Sequence, residues 1–451
     1  MIDLEQIMQK YNVNEEQAKA LDINKNIALH AGAGSGKTRV LTRRYLKILL
    51  DTDAKIDEIV AITFTKKAAL EMKERILDLV NEFLEDEKDD EMVSKLNEIK
   101  ENMVLSNIST FHSFCDDIIK DNYYLIGIDP MYKIIENTDR QAMLKKCAEE
   151  ILNLFIEDES YYSYFDMYFS NVKVKYDLKT QIINEILSIY KEITTRGDSI
   201  KEAIEYSTNN IIKYYENDEN YRDCQLVIDF ILEMVNAVDE KYKEEKRALN
   251  FMDFNDLERY ALEILEKNDE TREKLKNRFR YFLVDEFQDT NEIQLKILLY
   301  LTENNGKIED GKLFVVGDIK QSIYQFRGAN YKVFDQITSI IQQNGEKMNL
   351  LKNYRSHDKI VEITNDIFNR IMEIYEPSET TNSLEGESGF IFTFIDNTKE
   401  VTNNKLNIKK LRESQVSVEE LLTLVEKNES DSRIKEANFI ANKVSELNNK
   451  G

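Results

Sequence analysis

The sequence predicts an α/β protein in which a parallel sheet carries a phosphate-binding loop and a long helical insertion interrupts the strands. Three observations predict this architecture. A short apolar segment, 26–30, precedes a glycine-rich loop, and a segment with helical spacing follows that loop. Similar apolar, β-branched segments recur next to charged helical segments, which is typical of parallel sheets. Residues 115–275 are a long helical stretch without a phosphate loop or a repeat.

The glycine-rich loop has the composition of a phosphate-binding loop. It consists of Ala31, Gly32, Ala33, Gly34, Ser35, Gly36, Lys37 and Thr38. Glycine permits dihedral angles that other residues avoid, so consecutive amide groups can point at an anion beside a helix N-terminus. In such loops the lysine reaches the β- and γ-phosphates and the threonine hydroxyl holds Mg²⁺. The sequence therefore predicts a nucleotide site at Lys37 and Thr38.

The composition is that of a soluble protein with two or three domains. The chain has 451 residues, of which 42% are hydrophobic, and a formal net charge of −24. This charge argues against coating of nucleic acid by bulk attraction, although a few placed basic side chains can still bind phosphates. The three cysteines lie far apart, so we expect reduced thiols in the cytoplasm. Neither a signal peptide nor a membrane span is predicted.

The remaining elements follow from the spacing of apolar residues. Further strands are predicted at 59–64, 279–284, 313–318 and 390–395, and the segment 108–114 is predicted to be a short strand that runs into a turn. Helices are predicted within 1–22, 81–103, 357–375 and 433–447. The aromatic cluster at 161–165 has a spacing that favours a helix-packing core over a platform for stacked bases.

Two of the predicted strands end in polar residues that complement the loop. Asp285 and Glu286 follow the strand 279–284, and Gln321 lies after the strand 313–318. Open α/β sheets bind ligands at the carboxyl ends of their strands, so we expect these side chains near the loop. Asp285 would complete the Mg²⁺ shell, Glu286 would orient and deprotonate the attacking water, and Gln321 would touch the γ-phosphate. The alternative for the Asp-Glu pair is a solvated surface.

Gln17 has two interpretations. Asn14 and Gln17 have the spacing of a capping box, in which the Gln17 side chain closes a helix N-terminus. In the other interpretation the amide of Gln17 reads the adenine edge of a nucleotide.

Eight stretches occur in the order found in one family of nucleic-acid motors. They are Asn14–Gln17, Ala31–Thr38, Ala61–Arg75, Ser109–Phe114, Met252–Leu257, Leu283–Thr290, Val315–Ala329 and Leu350–Ser356. Through them the chain resembles the front half of a superfamily 1 DNA helicase of the UvrD/Rep/RecB/AddA group. Lys320 before Gln321, and Cys115 after Phe114, resemble the RecB/AddA branch.

The resemblance implies a domain order. Residues 1–114 and 276–347 would form the two parts of a first RecA-like domain, and residues 115–275 would form its helical insertion. Residues 348–451 would begin a second RecA-like domain that is incomplete.

The resemblance also implies roles at the nucleotide, with ATP and Mg²⁺ as ligands. Gln17 would hydrogen-bond adenine, while Arg39 and Tyr354 would sandwich the base by stacking. The implied phosphate contacts are those of Lys37, Gln321 and Arg355. Arg355 would come from the second domain, so that ATP binding closes the cleft between domains.

A track for single-stranded DNA is implied on the other side of the same sheet edge. Its implied residues are Thr63, Phe64, Thr110, His112, Phe326 and Arg327. Phe64 and Phe326 would stack on bases, an interaction of about 1–3 kcal/mol per base, whereas core packing is the alternative. His112 is equally consistent with a capping or core histidine. Cleft closure would drive movement 3′ to 5′ in DNA repair or recombination.

The later part of the family pattern is not found. A Thr-x-His-x-x-Lys-Gly-Leu-Glu motif, a later arginine motif and a nuclease module are missing. We therefore expect helicase action on single-stranded and duplex DNA from the complete protein, whose candidate partner is an AddB-like protein. The alternative is a truncated ATP- and DNA-binding subunit without helicase activity of its own. A small-molecule kinase fits the motif order poorly.

Overall fold

The computed structural model describes residues 4–171, 177–195, 200–215, 221–323, 331–372 and 375–380. The chain divides into two units, Met1–Leu350 and Leu351–Gly451. Two of the predicted DNA contacts, Phe326 and Arg327, lie outside the described residues, as do the predicted strand 390–395 and helix 433–447.

The strands are short, with two to five residues each. In chain order they are β1 (Ile27–Ala31), β2 (Ile59–Thr63), β3 (Asn107–Thr110), β4 (Lys133–Ile134), β5 (Phe251–Met252), β6 (Tyr281–Val284), β7 (Glu303–Asn304), β8 (Lys307–Ile308), β9 (Leu313–Gly317), β10 (Glu346–Leu350), β11 (Lys352–Asn353) and β12 (Glu379–Thr380). Six of them form one sheet in the order β10-β1-β9-β6-β2-β3, and every neighbouring pair is parallel. The predicted α/β class with a parallel sheet is confirmed.

The helices carry apolar residues at three- and four-residue spacing. In chain order they are α1 (Leu4–Tyr11), α2 (Glu15–Lys19), α3 (Lys37–Asp51), α4 (Lys66–Asp86), α5 (Asp90–Asn102), α6 (Phe111–Ile126), α7 (Asn137–Glu157), α8 (Tyr162–Asn171), α9 (Leu178–Thr195), α10 (Ile200–Tyr215), α11 (Tyr221–Ala248), α12 (Phe254–Lys267), α13 (Asp269–Arg278), α14 (Glu292–Thr302), α15 (Tyr331–Ile341) and α16 (Asp358–Ile371). Among the described residues, no helix has the length and apolarity needed to cross a membrane.

Helices cover both faces of the sheet, because alternate residues of a strand point to opposite sides. Ile27 and Leu29 of β1 pack into one core with residues of α1 to α5. Ala28, between them, packs into a second core with residues of α6 and α12 to α15. Since both faces are buried there, the four central strands β1, β9, β6 and β2 are almost wholly apolar, which explains why their sequence pattern is easy to recognise.

The predicted strand at 108–114 is wrong beyond Thr110. Thr110 caps a helix instead, because its side chain accepts a hydrogen bond from the backbone N–H of Ser113 at 3.3 Å. The apolar residues that follow have helical rather than alternating spacing, and the buried ones include Phe111, Phe114 and Cys115. β3 therefore ends at Thr110, and helix α6 starts at the sheet edge.

The helical insertion has a core of its own. Residues of α7 to α11 form a third apolar cluster, separate from the two cores beside the sheet. Phe155, Tyr164 and Phe165 pack around Phe230, with ring centroids 4.9–6.0 Å apart. The interpretation of the aromatic cluster as a helix-packing core is thus confirmed. By contrast, α12 near the end of the insertion packs with α6 in the core beside the sheet.

The second unit begins immediately after the edge strand β10. Residues 348–350, which the sequence assigns to the second domain, belong to β10 and pair with β1 in the large sheet. In the second unit, β11 and β12 pair in parallel, and helix α16 lies between them in the sequence.

The environment of His30 in β1 makes the free energy of unfolding depend on pH. Its ring stacks on Phe334 at 4.4 Å between centroids, and Nε2 lies 3.1 Å from the Thr338 hydroxyl. Burial, helped by the charge of Lys347, lowers the pKa of His30 from 6.5 to about 4. Below pH 6.5 the unfolded chain therefore binds a proton that the folded chain rejects, so the free energy of unfolding falls as the pH drops towards 4.

We expect this one group, which is partly exposed, to account for about 2 kcal/mol of lost stability between about pH 7 and about pH 4.5. Denaturant unfolding of the wild type and of His30→Gln at both pH values measures the difference. Equal losses in the two proteins would contradict the prediction.

Candidate functional site

The predicted phosphate-binding loop lies at the carboxyl edge of the sheet, between β1 and α3. Gly34 and Gly36 have φ angles of 72° and 90°, which side-chain-bearing residues rarely adopt. The hydroxyl of Ser35 donates to the carbonyl of Gly32 at 2.7 Å and tightens the turn. Because Gly36 occupies the N-cap and has no side chain, no side chain at that position caps the first-turn amides of α3. The loop thus ends at a helix N-terminus that favours anions.

The other loop residues complete this turn. Ala31 is the last residue of β1 and is buried, whereas Ala33 is exposed at the tip. The backbone N–H of Gly32 donates to Leu350 at the end of β10 at 3.3 Å. Thr38 lies in the first turn of α3 and is partly buried.

Gln17 is buried and supports the loop from behind. Its Oε1 accepts from the backbone N–H of Asn14 at 3.3 Å, which completes the capping box of α2. Its Nε2 donates to the carbonyl of Ser35 at 3.0 Å. The capping-box interpretation is therefore confirmed, with an added bond to the loop that local sequence spacing cannot reveal. Its amide keeps one further N–H and one further lone pair, so the predicted contact with adenine does not require either bond to break.

Lys37 and Glu286 come together from opposite parts of the sequence. Lys37 Nζ lies 3.0 Å from Glu286 Oε2, and the lysine side chain is only 11% exposed. Glu286 follows the end of β6 in the left-handed region, with φ 50° and ψ 44°. A non-glycine residue pays a conformational cost there, and such strain clusters at functional sites. This backbone geometry turns the carboxylate towards the lysine of the phosphate loop.

Three carboxylates share this corner of the sheet. Burial and the neighbouring charge of Glu286 raise the pKa of Asp285 to about 6. The same two causes raise the pKa of Asp289 to about 6. Among the described residues, Asp289 Oδ1 is buried without a hydrogen-bond partner. Lys37 pairs with Glu286, and the charges of Lys37 and Arg75 both act against the shift of the Asp285 pKa. Among the described residues, these two cations are fewer than the three carboxylates, so the corner keeps an excess of negative charge.

Gln288 connects this corner to the end of β9, and sequence reasoning did not assign it a role. Its Nε2 donates to Glu286 Oε2 at 2.8 Å, and its Oε1 accepts from the backbone N–H of Asp318 at 2.8 Å. Gln321 donates from Nε2 to Asp318 Oδ2 at 2.7 Å, and the backbone of Asp318 bonds to Gln288, so Asp318 and Gln288 link Gln321 to the corner. The sequence feature that could have indicated a role for Gln288 is its position between Glu286 and Asp289, within the stretch Leu283–Thr290 that resembles the helicase family.

Gly317 leaves the room that Gln288 occupies. A Cβ atom on Gly317 would lie 2.5 Å from Gln288 Oε1. We expect Gly317→Ala to displace the Gln288 amide, which bonds to Glu286, and to lower the ATP hydrolysis that the sequence predicts at this site by about 10²-fold. Steady-state turnover measures the effect. The control is Gly306→Ala, in the turn between β7 and β8 with φ 79°, which strains the backbone elsewhere. Equal turnover in the two variants would contradict the prediction.

The residues predicted around the base lie in both units. In the first unit, Nη2 of Arg39 donates to the carbonyl of Asn12. In the second unit, Tyr354 and Arg355 are exposed after β11, where Asn353 Oδ1 accepts from the backbone N–H of Arg355 at 2.9 Å.

The four predicted DNA residues that the structure describes lie at or just after the carboxyl ends of β2 and β3. Thr63 and Thr110 are register partners, and both are buried. The Thr63 hydroxyl donates to the carbonyl of Thr65 at 3.1 Å, and the Thr110 hydroxyl caps α6. These two hydroxyls therefore hold local turns. Phe64 is partly buried, and the side chain of His112 is 38% exposed.

Comparison with known proteins assigns the chain to a family. The family described as UvrD/REP helicase N-terminal domain matches residues 12–342. The chain belongs to the UvrD/Rep helicase family. The resemblance predicted from the sequence is thus confirmed, and the six-stranded parallel sheet is the RecA-like fold of that family's helicase domain.

Several curated relatives of this UvrD/Rep family member cover most of its length. The AddA-type subunit of the ATP-dependent helicase/nuclease of Clostridium acetobutylicum is 26% identical and covers 95% of this chain and 44% of that protein. The protein of the same name from Listeria welshimeri is 29% identical, and the match covers 80% of this chain and 39% of that protein. The "Probable DNA helicase II homolog" of Mycoplasma capricolum is 29% identical, and the match covers 88% of this chain and 46% of that protein. The chain spans less than half the length of these relatives.

Proposed function

We propose that the chain binds and hydrolyses ATP and grips single-stranded DNA as part of a DNA helicase of the UvrD/Rep family. The pairing of Lys37 with Glu286 is the observation that carries this proposal. It brings the lysine of a phosphate-binding loop next to a partly exposed carboxylate at the carboxyl edge of a parallel sheet. Phosphoryl transfer needs both groups in one place.

The loop and Lys37 would hold the β- and γ-phosphates. Phosphate would compete with Glu286 for Lys37 Nζ, which would free the carboxylate for catalysis. Thr38 and Asp285 would hold Mg²⁺, and the excess negative charge of Asp285, Glu286 and Asp289 supports a cation there. Among the described residues, no group of three or more His, Cys, Asp or Glu side chains is arranged to hold a metal ion, so we assign the remaining ligands of the ion to phosphate and water. When bound, Mg²⁺ neutralises charge that develops on the phosphates.

Glu286 would orient the attacking water and accept its proton. The amide of Gln288 fixes one carboxylate oxygen at 2.8 Å, so the other oxygen, Oε1, is the one we assign to the water. Gln321 would contact the γ-phosphate and transmit its position through Asp318 and Gln288. Around the base we propose Arg39 and Tyr354, and for the phosphates we also propose Arg355.

DNA would lie along the ends of β2 and β3. Phe64 and His112 are the described side chains that we propose for stacking and contact, because each is partly exposed. Phe326 and Arg327 keep the proposed roles that the sequence implies. ATP-driven changes in this grip would move the protein 3′ to 5′ in repair or recombination. The name of the C. acetobutylicum relative describes one subunit of a helicase/nuclease, so we propose an AddB-like partner for the whole protein.

The proposal is tested by steady-state ATP turnover of the chain alone, with oligothymidine, with blunt duplex DNA and with single-stranded RNA of equal length. We expect oligothymidine to stimulate turnover more than the other two nucleic acids. If the three nucleic acids stimulate ATP turnover equally, or if none of them changes it, a role on single-stranded DNA is contradicted. Binding of neither ATP nor DNA would contradict the proposal entirely.

A further inference from the structure

Glu258 of helix α12 is a buried acid outside the candidate nucleotide site. Its side chain is only 5% exposed, yet its carboxylate serves three partners. His112 Nε2 lies 3.1 Å from Oε1, and the amide of Gln294 donates to the same oxygen at 2.6 Å. The amide of Asn291 donates to Oε2 at 2.8 Å. A buried carboxylate with this many donors is held in one orientation.

The three partners come from two functional parts of the molecule. His112 lies in the first turn of α6, directly after β3, on the side proposed for DNA. Its ring also packs on Phe254, with centroids 4.6 Å apart. Asn291 and Gln294 form the capping box that starts α14. Asn291 follows the short 3₁₀ turn Phe287–Asp289, which carries Gln288 and Asp289, after a single residue.

Glu258 therefore bridges a surface histidine and the segment that shapes the acidic corner. A base or phosphate that moves the His112 ring must stretch its bond to Glu258 or carry the carboxylate with it. The carboxylate in turn holds both side chains of the α14 capping box. Because unpaired buried groups are costly, the bonds favour concerted movement over separate breakage.

We propose that Glu258 is a positioning residue that couples single-stranded DNA at His112 to nucleotide at Lys37 and Glu286. The inference rests on the proposed function and adds the residue through which its two ligands communicate. Coupling between two ligands is reciprocal and appears as a ratio of affinities, which a purely structural role does not change selectively.

The test is equilibrium binding of fluorescent oligothymidine with and without Mg²⁺ and a non-hydrolysable ATP analogue. The ratio of the two dissociation constants is the coupling factor. We expect a factor of about fivefold or more in the wild-type chain, and less than about twofold in Glu258→Gln and Asn291→Ser. Glutamine replaces one of the two carboxylate oxygens by an NH₂ group, so at least one of the donors around position 258 loses its acceptor. Serine at position 291 keeps the N-cap of α14 but removes the amide that donates to Glu258.

Glu263→Gln on the same helix is the matched control, because its carboxylate pairs with Lys267 at the surface. It should keep the wild-type coupling factor. Thermal unfolding checks each variant, and if Glu258→Gln fails to fold, Asn291→Ser decides the outcome from the opposite end of the bridge. An unchanged coupling factor in the folded variants overturns the inference. If the wild-type chain binds both ligands but shows no coupling, the inference is overturned and the proposed binding sites are not. If the wild-type chain binds neither ligand, the proposed function is overturned together with the inference.

Discussion

Replacement of Glu286 by glutamine is expected to lower ATP turnover by about 10²–10⁴-fold and to leave Mg²⁺-ATP affinity within about threefold of wild type. The substitution keeps the size of the side chain, and its carbonyl can still accept from Gln288 Nε2. It removes the basic oxygen that would take a proton from water. It also removes the negative partner of Lys37, so phosphate no longer has to displace a carboxylate.

Single-turnover hydrolysis and a separate nucleotide titration measure the two quantities independently. Glu292→Gln is the matched control, because Glu292 lies six residues further along and is exposed in the first turn of α14. Its turnover should equal that of the wild type. If Glu286→Gln hydrolyses ATP at the wild-type rate, another group activates the water. If it loses binding as well, Glu286 is needed to hold nucleotide.

Replacement of Arg44 by alanine is expected to lower the free energy of unfolding by about 3–5 kcal/mol. Arg44 is 1% exposed and lies 4.7 Å above the ring centroid of Phe314 in β9. Its guanidinium donates to the carbonyls of Ala20, Asp22 and Lys25 at 2.8–2.9 Å. Those carbonyls belong to the connection between α2 and β1, so truncation leaves them unpaired next to a cavity.

Denaturant unfolding of the whole chain measures this loss. Arg278→Ala is the control, because Arg278 lies 5.0 Å from the Phe279 ring centroid but is 45% exposed, with Asp121 3.8 Å away. Its removal should cost less than about 1 kcal/mol. A similar cost for both substitutions would mean that the three carbonyls find water or other donors when Arg44 is removed.

The parts of the site that are local in sequence could be predicted. Strand, glycine loop and helix stand in a fixed order around Lys37, and continuous apolar runs mark β1, β2, β6 and β9 because both faces of the sheet are buried. Asp285 and Glu286 were expected near the loop because parallel strands end at one edge, and the 3.0 Å contact between Lys37 and Glu286 agrees with that expectation.

The hydrogen bonds between distant segments could not be predicted. Gln288 bonds across to the end of β9, and Glu258 collects donors from α6 and α14. No spacing rule encodes such contacts, since they depend on how helices pack on the sheet. The prediction for 108–114 failed beyond Thr110 for a related reason. A short apolar run fits the residue spacing of a strand and that of a helix equally well, and the cap formed by Thr110 is visible only in the structure.

Calorimetric titration of the chain with Mg²⁺ and a non-hydrolysable ATP analogue, in the wild type and in Lys37→Ala, tests the proposed site most directly. We expect one nucleotide per wild-type chain and an affinity at least about tenfold lower in the variant, because the variant lacks a charged hydrogen bond to phosphate. Lys19→Ala, at an exposed ion pair with Glu15, should bind as the wild type does. Equal affinity in the wild type and Lys37→Ala, or no binding by the wild type, would contradict a nucleotide site at the carboxyl edge of this sheet.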